Sequence, residues 1–510
     1  MAPPKLRCVH LRAAASHPIE PARPFFFTSA MPTPICLRCL SRALRPIEAS
    51  LPSNGSSQRA ALSTSAPLSA AKPAPKQGAA RTGAKTGKRL QLRKTVRSSS
   101  GRPVAPGERK AYRKRIVLSN TNALEVQGLQ DLTADKLVRG DGEVALNSQR
   151  GRVLGLTNET VDALRALETF QPTQGWSLFR RPATLVRQET VLLADDVADI
   201  TGEEKKTSRM VLDGRRGSGK SVLLLQAQTM ALLKGCVVIH LAEGQEIINA
   251  HTSYQPIDTP EGTKYIQPHY TAHLLSNIAK ANQSVLSKLR LSKKHDLPVP
   301  IQANMSLARF AELGAQDQTL AWPIWQALWS ELLAPSQPDA EGLRRPPVMV
   351  SMDGLNHVMR NSAYLNAEAK PIHAHDLMLV QTFTDFLSGS TALPNGGMVL
   401  GATCASNKPA SATLDHTLEV LSTPEGQTPP EWNPYVKKDD RVAAALKGVE
   451  VMKLKGLSKA EARGVLEYYA QSGMVRSTVT EGMTSERWTL AGGGIVGELE
   501  KGVVRMRFAV

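Results

Sequence analysis

Short apolar runs bounded by glycine, aspartate or basic residues recur in the middle of the chain and predict buried strands. Four such runs occupy residues 209–213, 236–241, 348–353 and 397–403. A helix-like run at 222–234 separates the first two, and a helical stretch around 373–387 precedes the fourth. Runs this short and this continuous are typical of strands that are covered on both faces. Strands that alternate with helices predict a parallel α/β sheet with flanking helices.

The carboxyl-terminal part of the chain has a different pattern. Polar and proline-containing sequence fills residues 411–435, and a helical pattern resumes over 436–508. Within that pattern, Ser458 followed by Glu461 predicts a capping box at the start of a helix at 457–469. We therefore expect a linker and then a small helical subdomain against the edge of the sheet that carries the predicted nucleotide site.

The first 62 residues are rich in Arg, Ala, Ser and Pro and contain only two acids, which is the composition of a mitochondrial transit peptide. Within them, residues 31–51 predict a short basic helix with three arginines on or near one face. The alternative is an unstructured N-terminus without a targeting role. The sequence leaves open the cleavage bond, and also whether translation starts at Met1 or Met31.

A basic arm follows at 63–118, where Lys and Arg are spaced by Ala, Gly, Pro and Ser. Such a segment cannot bury a core and is predicted to be disordered. Its cations suit contact with phosphate backbones, because each cation that pairs with a phosphate releases a condensed counterion. The alternative is a solvated linker that carries residual charge.

The positive charge of the chain is concentrated in this N-terminal part. The 510 residues contain 63 Lys and Arg against 45 Asp and Glu, a formal net charge of +18. Residues 1–120 hold 23 of the basic residues and only three acids, which leaves 40 basic and 42 acidic residues in 121–510. The body is thus close to neutral, and the excess belongs to an arm rather than to a basic globular domain.

The composition also argues against several classes of protein. No run approaches the roughly 18 apolar residues of a membrane-spanning helix. The five cysteines are too sparse for a disulfide framework, which favours a reducing compartment. Cys36 and Cys39 have zinc-knuckle spacing but lack a second pair of ligands nearby, so we predict no metal there. A chain of 510 residues is expected to form two or three domains.

One motif carries specific chemistry. Residues 214–221, called the P-loop below, match the pattern GxxxxGK[ST] between a predicted strand and a predicted helix. Its glycines would let the backbone wrap around phosphate oxygens, Lys220 would reach the β- and γ-phosphates, and Ser221 would bind Mg²⁺. The predicted nucleotide-binding residues are Gly214, Arg215, Arg216, Gly217, Ser218, Gly219, Lys220, Ser221 and Asp353. A vestigial loop is the alternative.

Asp353 ends the run at 348–353, where a carboxylate at the edge of a parallel strand would hold Mg²⁺ together with Ser221. Gly354 follows it, at the position where many ATPases place the glutamate that activates water. This predicts slow or absent hydrolysis, unless a more distant acid such as Glu243 substitutes. We predict no catalytic residue.

Two other features leave alternatives open. Residues 407–410 resemble the guanine-specificity motif NKxD, but Ala410 cannot pair with the base, so the match is interpreted as coincidence. The interval of about a hundred residues between the second and third predicted strands is far longer than a plain crossover. It contains a predicted helix with three tryptophans at 320–333 and a basic segment at 287–294. The basic segment either contacts phosphate or forms a solvated face.

Several motifs together resemble those of the death-associated protein 3 family. They are LFRRPA at 178–183, the P-loop, VSMDGLN at 350–356, the helix at 457–469 and the closing region at 493–503. The resemblance covers about residues 170–508 and implies a P-loop NTPase fold of the AAA+/STAND type. The long N-terminal region and the pair Arg215-Arg216 depart from the motifs that the family shares.

The resemblance implies a structural subunit in the small subunit of the mitochondrial ribosome. It also implies a bound purine nucleotide, GTP or GDP rather than ATP, with Mg²⁺. The expected partners are small-subunit rRNA and ribosomal proteins, with a bridge to the large subunit and no homo-oligomer. Two alternatives are a mitochondrial P-loop NTPase that remodels or assembles the ribosome, and a free RNA-binding protein recruited by its arm.

These observations predict an α/β protein with a P-loop NTPase sheet, a small C-terminal helical subdomain and a disordered basic N-terminal arm. We divide it into five segments. They are the transit peptide (1–62), the basic arm (63–118), an N-terminal extension (119–175), the nucleotide-binding domain (176–410), and the linker with the helical subdomain (411–510).

Overall fold

The computed structural model describes residues 116–504, apart from residues 141, 143, 144, 261, 303, 338, 339 and 425. The predicted transit peptide at 1–62 and almost all of the predicted arm at 63–118 lie outside the described residues, and both stay predictions. Within the described part, strands and helices alternate as they do in an α/β protein.

The described residues contain eleven strands and fifteen α-helices. The strands are β1 (Val153–Gly155), β2 (Ala183–Leu185), β3 (Thr207–Gly214), β4 (Val237–Leu241), β5 (Gln255–Thr259), β6 (Gly262–Ile266), β7 (Val348–Asp353), β8 (Asn361–Leu365), β9 (Pro371–His373), β10 (Gly397–Ala402) and β11 (Glu450–Leu454). The helices are α1 (Asn158–Ala166), α2 (Gln188–Thr201), α3 (Lys220–Leu233), α4 (Gly244–Ile248), α5 (Pro268–Ala281), α6 (Gln283–Leu286), α7 (Leu307–Gln316), α8 (Gln318–Leu332), α9 (Leu355–Val358), α10 (Met378–Ser388), α11 (Ala412–Leu421), α12 (Asp440–Ala445), α13 (Lys459–Gln471), α14 (Glu481–Leu490) and α15 (Val496–Val503).

Five of these strands form one parallel sheet in the order β11-β3-β10-β7-β4. The four predicted strands are confirmed as β3, β4, β7 and β10, with ends that differ by one or two residues at most. Because β10 lies between β3 and β7, it is hydrogen-bonded to both of the strands that lead to the predicted site. The carboxyl ends of parallel strands share one edge of the sheet, so the P-loop and Asp353 lie at the same edge.

The fifth strand, β11, lies in the segment that the sequence predicts to be helical. It pairs in parallel with β3, from Glu450 opposite Met210 to Leu454 opposite Gly214. Only Leu454 of this edge strand is buried, so its five residues show no clear alternation of apolar and polar positions. The prediction for 411–510 therefore needs a correction, because this segment completes the central sheet as well as forming helices.

Alternate residues of the central strands belong to two separate hydrophobic cores. In β7, Val348 and Val350 belong to one core and Met349 to the other. Helices α5, α7, α8 and α10 cover the first face of the sheet, whereas α2 and α3 cover the second. Burial on both faces explains why the strand sequences are almost continuously apolar.

The long interval between β4 and β7 packs onto the first face of the sheet. It contains helix α4, the β5–β6 hairpin and helices α5 to α8. The predicted tryptophan helix is confirmed as α8, in which Trp322, Trp325 and Trp329 are buried. Glu331 lies in the same helix and is also buried, which is unusual for a carboxylate unless it is paired.

The amino- and carboxyl-terminal parts of the described chain share a third core. β1 pairs antiparallel with β2, and Val153 and Leu185 of this pair pack against helices α13 and α15. The predicted capping box of α13 is confirmed, since the Ser458 amide donates to Glu461 Oε2 (2.9 Å) and the Glu461 amide donates to Ser458 Oγ (3.3 Å). The N-terminal extension is thus held against the C-terminal helices by apolar contacts.

A further helix, α11, occupies part of the stretch that is predicted to be a polar linker. Ser411 caps it by accepting from the Leu414 amide, and Leu414 and Leu418 are buried on one side. Leu414, Leu418 and Leu421 have helical spacing, but the helix spans only ten residues and a polar, proline-containing stretch follows it, so the prediction missed it. Among the described residues, no helix is long and apolar enough to cross a membrane.

Candidate nucleotide-binding site

The P-loop connects β3 directly to α3. Gly214 ends the strand, Lys220 begins the helix, and Gly217 and Gly219 both have positive φ angles, +78° and +96°. A Cβ atom at Gly214 would lie 2.8 Å from the Leu454 carbonyl oxygen of β11, so a larger residue cannot fit there without a shift of the backbone. The glycine positions of the motif therefore match a loop that wraps tightly and lies against the neighbouring strand.

Hydrogen-bond donors converge inside this loop. In the described part of the chain, no backbone carbonyl accepts from the amides of Lys220 and Ser221, which begin α3. Ser218 is buried, with 2% of the residue exposed, and its hydroxyl likewise has no hydrogen-bond partner among the described residues. Helix N-terminal amides and a buried hydroxyl without a partner form a site that suits an anion. Arg215 and Arg216 are exposed instead.

Lys220 is buried, with 7% of the residue exposed, and turns back onto its own loop. Its Nζ donates to the carbonyl oxygens of Gly214 (2.5 Å) and Arg215 (3.1 Å). Burial lowers the pKa of this ammonium group, although the nearby Asp213, Cys404 and Asp353 raise it in part. A phosphate would offer Lys220 a charged acceptor in place of two neutral carbonyls.

Asp353 lies at the carboxyl end of β7, where only 8% of the residue is exposed. The Nε2 atom of Gln171 donates to its Oδ2 atom over 2.6 Å. Gln171 comes from the connection after α1, and no local pattern pointed to it because 182 positions separate it from Asp353. The sequence therefore identified the carboxylate but missed the side chain that holds it.

The residues after β10 are hydrogen-bonded to the end of β3 on one side and to the residues after β7 on the other. Thr403 Oγ1 donates to Asp213 Oδ1 of β3 (2.8 Å), and the Cys404 amide donates to Asn356 Oδ1 after β7 (2.6 Å). The Thr403 hydroxyl is thus engaged by Asp213. These bonds fix the edge at which Lys220 and Asp353 meet.

A buried arginine links the loop to two other segments. Arg187, the residue before α2, donates to the Ser218 carbonyl oxygen over 2.7 Å and to the Lys455 carbonyl oxygen over 3.0 Å. Its guanidinium group also pairs with Glu189 over 3.2 Å. The sequence gave no signal for Arg187 because both acceptors are backbone atoms of distant segments. It fixes the P-loop against α2 and the chain after β11.

The beginning of α15 closes another side of the loop. The Gly497 amide donates to the Gly217 carbonyl oxygen over 2.9 Å, and a Cβ atom at Gly497 would lie 3.1 Å from Gly217 Cα. Two glycines thus allow close approach of the backbones. The C-terminal helices are thus in direct contact with the P-loop, as expected from their predicted position against this edge of the sheet.

The NKxD-like residues have other partners in the structure. Asn407 Nδ2 donates to Gln245 Oε1 over 2.8 Å, and Lys408 pairs with Asp415 over 2.6 Å. Within the described ranges, no group of three or more His, Cys, Asp or Glu residues has the arrangement of a metal site. A bound Mg²⁺ would therefore depend on nucleotide oxygens in addition to Ser221 and Asp353.

A family model described as mitochondrial ribosomal death-associated protein 3 matches residues 184–502. The chain belongs to this family. The match starts within β2 and ends within α15, so it includes the P-loop, Asp353 and the C-terminal helices. Gln171 lies outside the matched residues, which makes its contact with Asp353 a contribution of the N-terminal extension.

Two relatives bear the name small ribosomal subunit protein mS29. The Neurospora crassa protein is 45% identical over 478 residues, which cover 91% of this chain and 97% of the relative. The Schizosaccharomyces pombe protein is 22% identical over 331 residues, which cover 64% of this chain and 66% of the relative. Membership of the death-associated protein 3 family confirms the predicted resemblance and the predicted location in the mitochondrial ribosome.

Cys404 offers a chemical probe of the site in this family member. Burial alone would raise the pKa of its thiol, but hydrogen bonds from His357, Ser406 and Asn407 lower that pKa to about 6. We expect alkylation of Cys404 by iodoacetamide to increase with pH around a midpoint near 6, because the thiolate is the nucleophile.

Cys236 is the control within the same protein, since it is buried and burial raises its pKa to about 12. At pH 7, quantitative peptide mapping should show Cys404 labelled at least about tenfold faster than Cys236. Saturating nucleotide should slow the labelling of Cys404, whose thiol lies near Lys220. A titration midpoint at pH 8 to 9 would contradict the assigned hydrogen bonds.

Proposed function

We propose that this protein is a structural constituent of the small subunit of the mitochondrial ribosome and supports mitochondrial translation. The observation that carries this proposal is the 45% identity, over 91% of the chain, with a protein named for that subunit. Its partners are then small-subunit rRNA and ribosomal proteins, with a bridge to the large subunit and a single copy per ribosome. The predicted basic arm at 63–118 adds cations for rRNA.

We propose further that the P-loop holds a purine nucleotide, GTP or GDP rather than ATP, in a P-loop NTPase fold. The support is the edge of the sheet at which Lys220, Ser218 and Asp353 meet. The amides of the P-loop and the Ser218 hydroxyl would bind phosphate oxygens, and Lys220 would neutralise their charge. Ser221 and Asp353 would hold Mg²⁺, which screens the phosphate charges when it is bound.

Gln171 has a defined part in this proposal. Its amide occupies Asp353 Oδ2 in the structure, so the amide has to move or share the carboxylate when Mg²⁺ binds there directly. The position of Gln171, and with it part of the N-terminal extension, would then differ between the empty and the filled site. Mass spectrometry of small molecules released from the denatured, freshly purified protein tests the proposal, and a purine nucleotide near one per chain is expected.

A structural nucleotide predicts slow hydrolysis. Gly354, and not a second acid, follows Asp353 in the sequence. The Asp353 carboxylate accepts a hydrogen bond from the Gln171 side-chain amide. We expect single-turnover hydrolysis of GTP with Mg²⁺ below about 10⁻³ s⁻¹, the range of GTPases that lack an arginine finger. Turnover near 1 s⁻¹ that Asp353→Asn abolishes would instead favour the NTPase that remodels or assembles the ribosome.

A further inference from the structure

We propose that the basic loop, residues 287–294, binds the phosphate backbone of RNA. The inference rests on the proposed ribosomal function and adds a site on the folded body to the predicted contact by the arm. The sequence left this segment either as a phosphate contact or as a solvated face. The structure shows how the segment is held.

Glu331 of α8 fixes the end of the basic loop from beneath. Its carboxylate accepts from the Ser292 amide (2.9 Å), from His295 Nε2 (2.7 Å) and from Arg345 Nη2 (2.5 Å). Both Glu331 and Arg345 are buried. Arg345 Nη2 also donates to the Arg290 carbonyl oxygen over 2.8 Å, so both ends of the segment Arg290–Ser292 are anchored.

Among the described residues, the cations around the basic loop are not neutralised by acidic side chains, although Arg290 Nη1 donates to the Asn304 carbonyl oxygen over 3.0 Å. Lys288, Arg290, Lys293 and Lys294, together with the neighbouring Arg344, are exposed. In the described part of the chain, none of these five has a carboxylate within 4.0 Å. Asp296, Asp339 and Glu341 are the acids nearest in sequence, so the five cations exceed them by two on a body that is otherwise close to neutral.

The basic loop lies at the edge of the sheet that is opposite the P-loop. The Arg290 amide donates to the Gly342 carbonyl oxygen over 2.8 Å, and residues 342–347 lead into the start of β7. The P-loop and Asp353 lie at the carboxyl ends of the strands. RNA at the basic loop and a nucleotide at the P-loop can therefore be bound together.

The side chains favour RNA over an acidic protein surface. Leu289 is buried and Leu291 packs against the core, so the exposed part of the loop is polar or charged. Protein interfaces usually need apolar and aromatic groups at their centre, which this loop does not expose. Phosphate contacts need only cations at fixed positions. The bonds of Glu331 and Arg345 fix the backbone from which these cations extend.

The test compares two adjacent pairs of exposed lysines in the full chain. The double variant K293Q/K294Q removes two cations of the basic loop, and K437Q/K438Q removes a matched pair elsewhere on the surface. Affinity for a mixed-sequence RNA duplex of about 20 base pairs is measured against salt concentration. The slope of log K against log salt should become shallower by about 1.4 to 1.8 in the first variant, since each phosphate contact adds about 0.7 to 0.9.

The control variant should keep the wild-type slope, and the melting temperatures of both variants should match that of the wild type. An unchanged slope in K293Q/K294Q, or the same change in both variants, would overturn the proposal. Loss of binding to polyglutamate without loss of RNA binding would overturn it in favour of an acidic protein partner. The ribosomal role would still stand if the wild-type chain co-sediments with small subunits.

Discussion

Lys220→Ala is expected to weaken the binding of GTP and GDP at least about 100-fold. The ammonium group is buried beside the loop, and it exchanges two carbonyl acceptors for charged phosphate oxygens when the site fills. A charge-assisted bond of this kind in a water-poor site contributes about 1.5 to 3 kcal/mol. The rest of the loss follows from phosphate charge that is left without a cation.

Calorimetric titration with Mg-GDP measures this effect, and thermal unfolding gives a second reading. Ligand at 100 times its Kd should stabilise the wild-type protein by about 2.7 kcal/mol, and the variant should show almost none of this at the same concentration. Lys234→Ala is the matched control, because Lys234 follows the other end of α3. Equal affinity in Lys220→Ala and the wild type would mean that the loop is vestigial.

Glu331→Ala is expected to lower the free energy of unfolding by about 3 to 5 kcal/mol. The change leaves the buried guanidinium of Arg345 without its carboxylate, and it removes the acceptor of the Ser292 amide and of His295. Although burial alone would raise the pKa of Glu331, bonds from Ser292, His295 and Arg345 outweigh burial and lower it. The ion pair therefore makes its full contribution to the free energy of unfolding above the usual glutamate pKa of 4.5. It loses this contribution as the pH falls through the lowered pKa of Glu331.

Urea unfolding at pH 7 measures the loss of unfolding free energy in Glu331→Ala. The same measurement over pH 3 to 5 follows how the contribution of the ion pair declines in the wild type. Glu331→Met with Arg345→Met is the control, because replacing both partners by apolar residues of similar length avoids a buried unpaired charge. This double variant should recover most of the stability lost in Glu331→Ala. A loss below about 1 kcal/mol in the single variant would contradict the buried network.

Local sequence patterns predicted much of this molecule because they depend on near neighbours. The four central strands are apolar because both faces are covered, and the P-loop is recognised from eight consecutive residues. The capping box at Ser458 and Glu461 likewise depends on residues three apart. Each of these features is decided by backbone geometry within one turn or one strand.

Contacts between distant segments could not be predicted in the same way. Gln171 reaches Asp353 across 182 positions, Arg187 uses backbone acceptors, and Gly497 meets Gly217 through main-chain atoms. None of these requires a distinctive residue pattern on either side. The edge strand β11 was missed for a related reason, since pairing with β3 rather than intrinsic preference makes it a strand.

The most direct test of the account is sedimentation of this chain from a mitochondrial lysate. On a sucrose gradient, we predict that it peaks with the rRNA of the small ribosomal subunit, and that this fraction releases about one purine nucleotide for each copy of the chain. A chain found only at the position of a free monomer would contradict the ribosomal role. A chain that co-sediments but releases no nucleotide would contradict the function proposed for the P-loop.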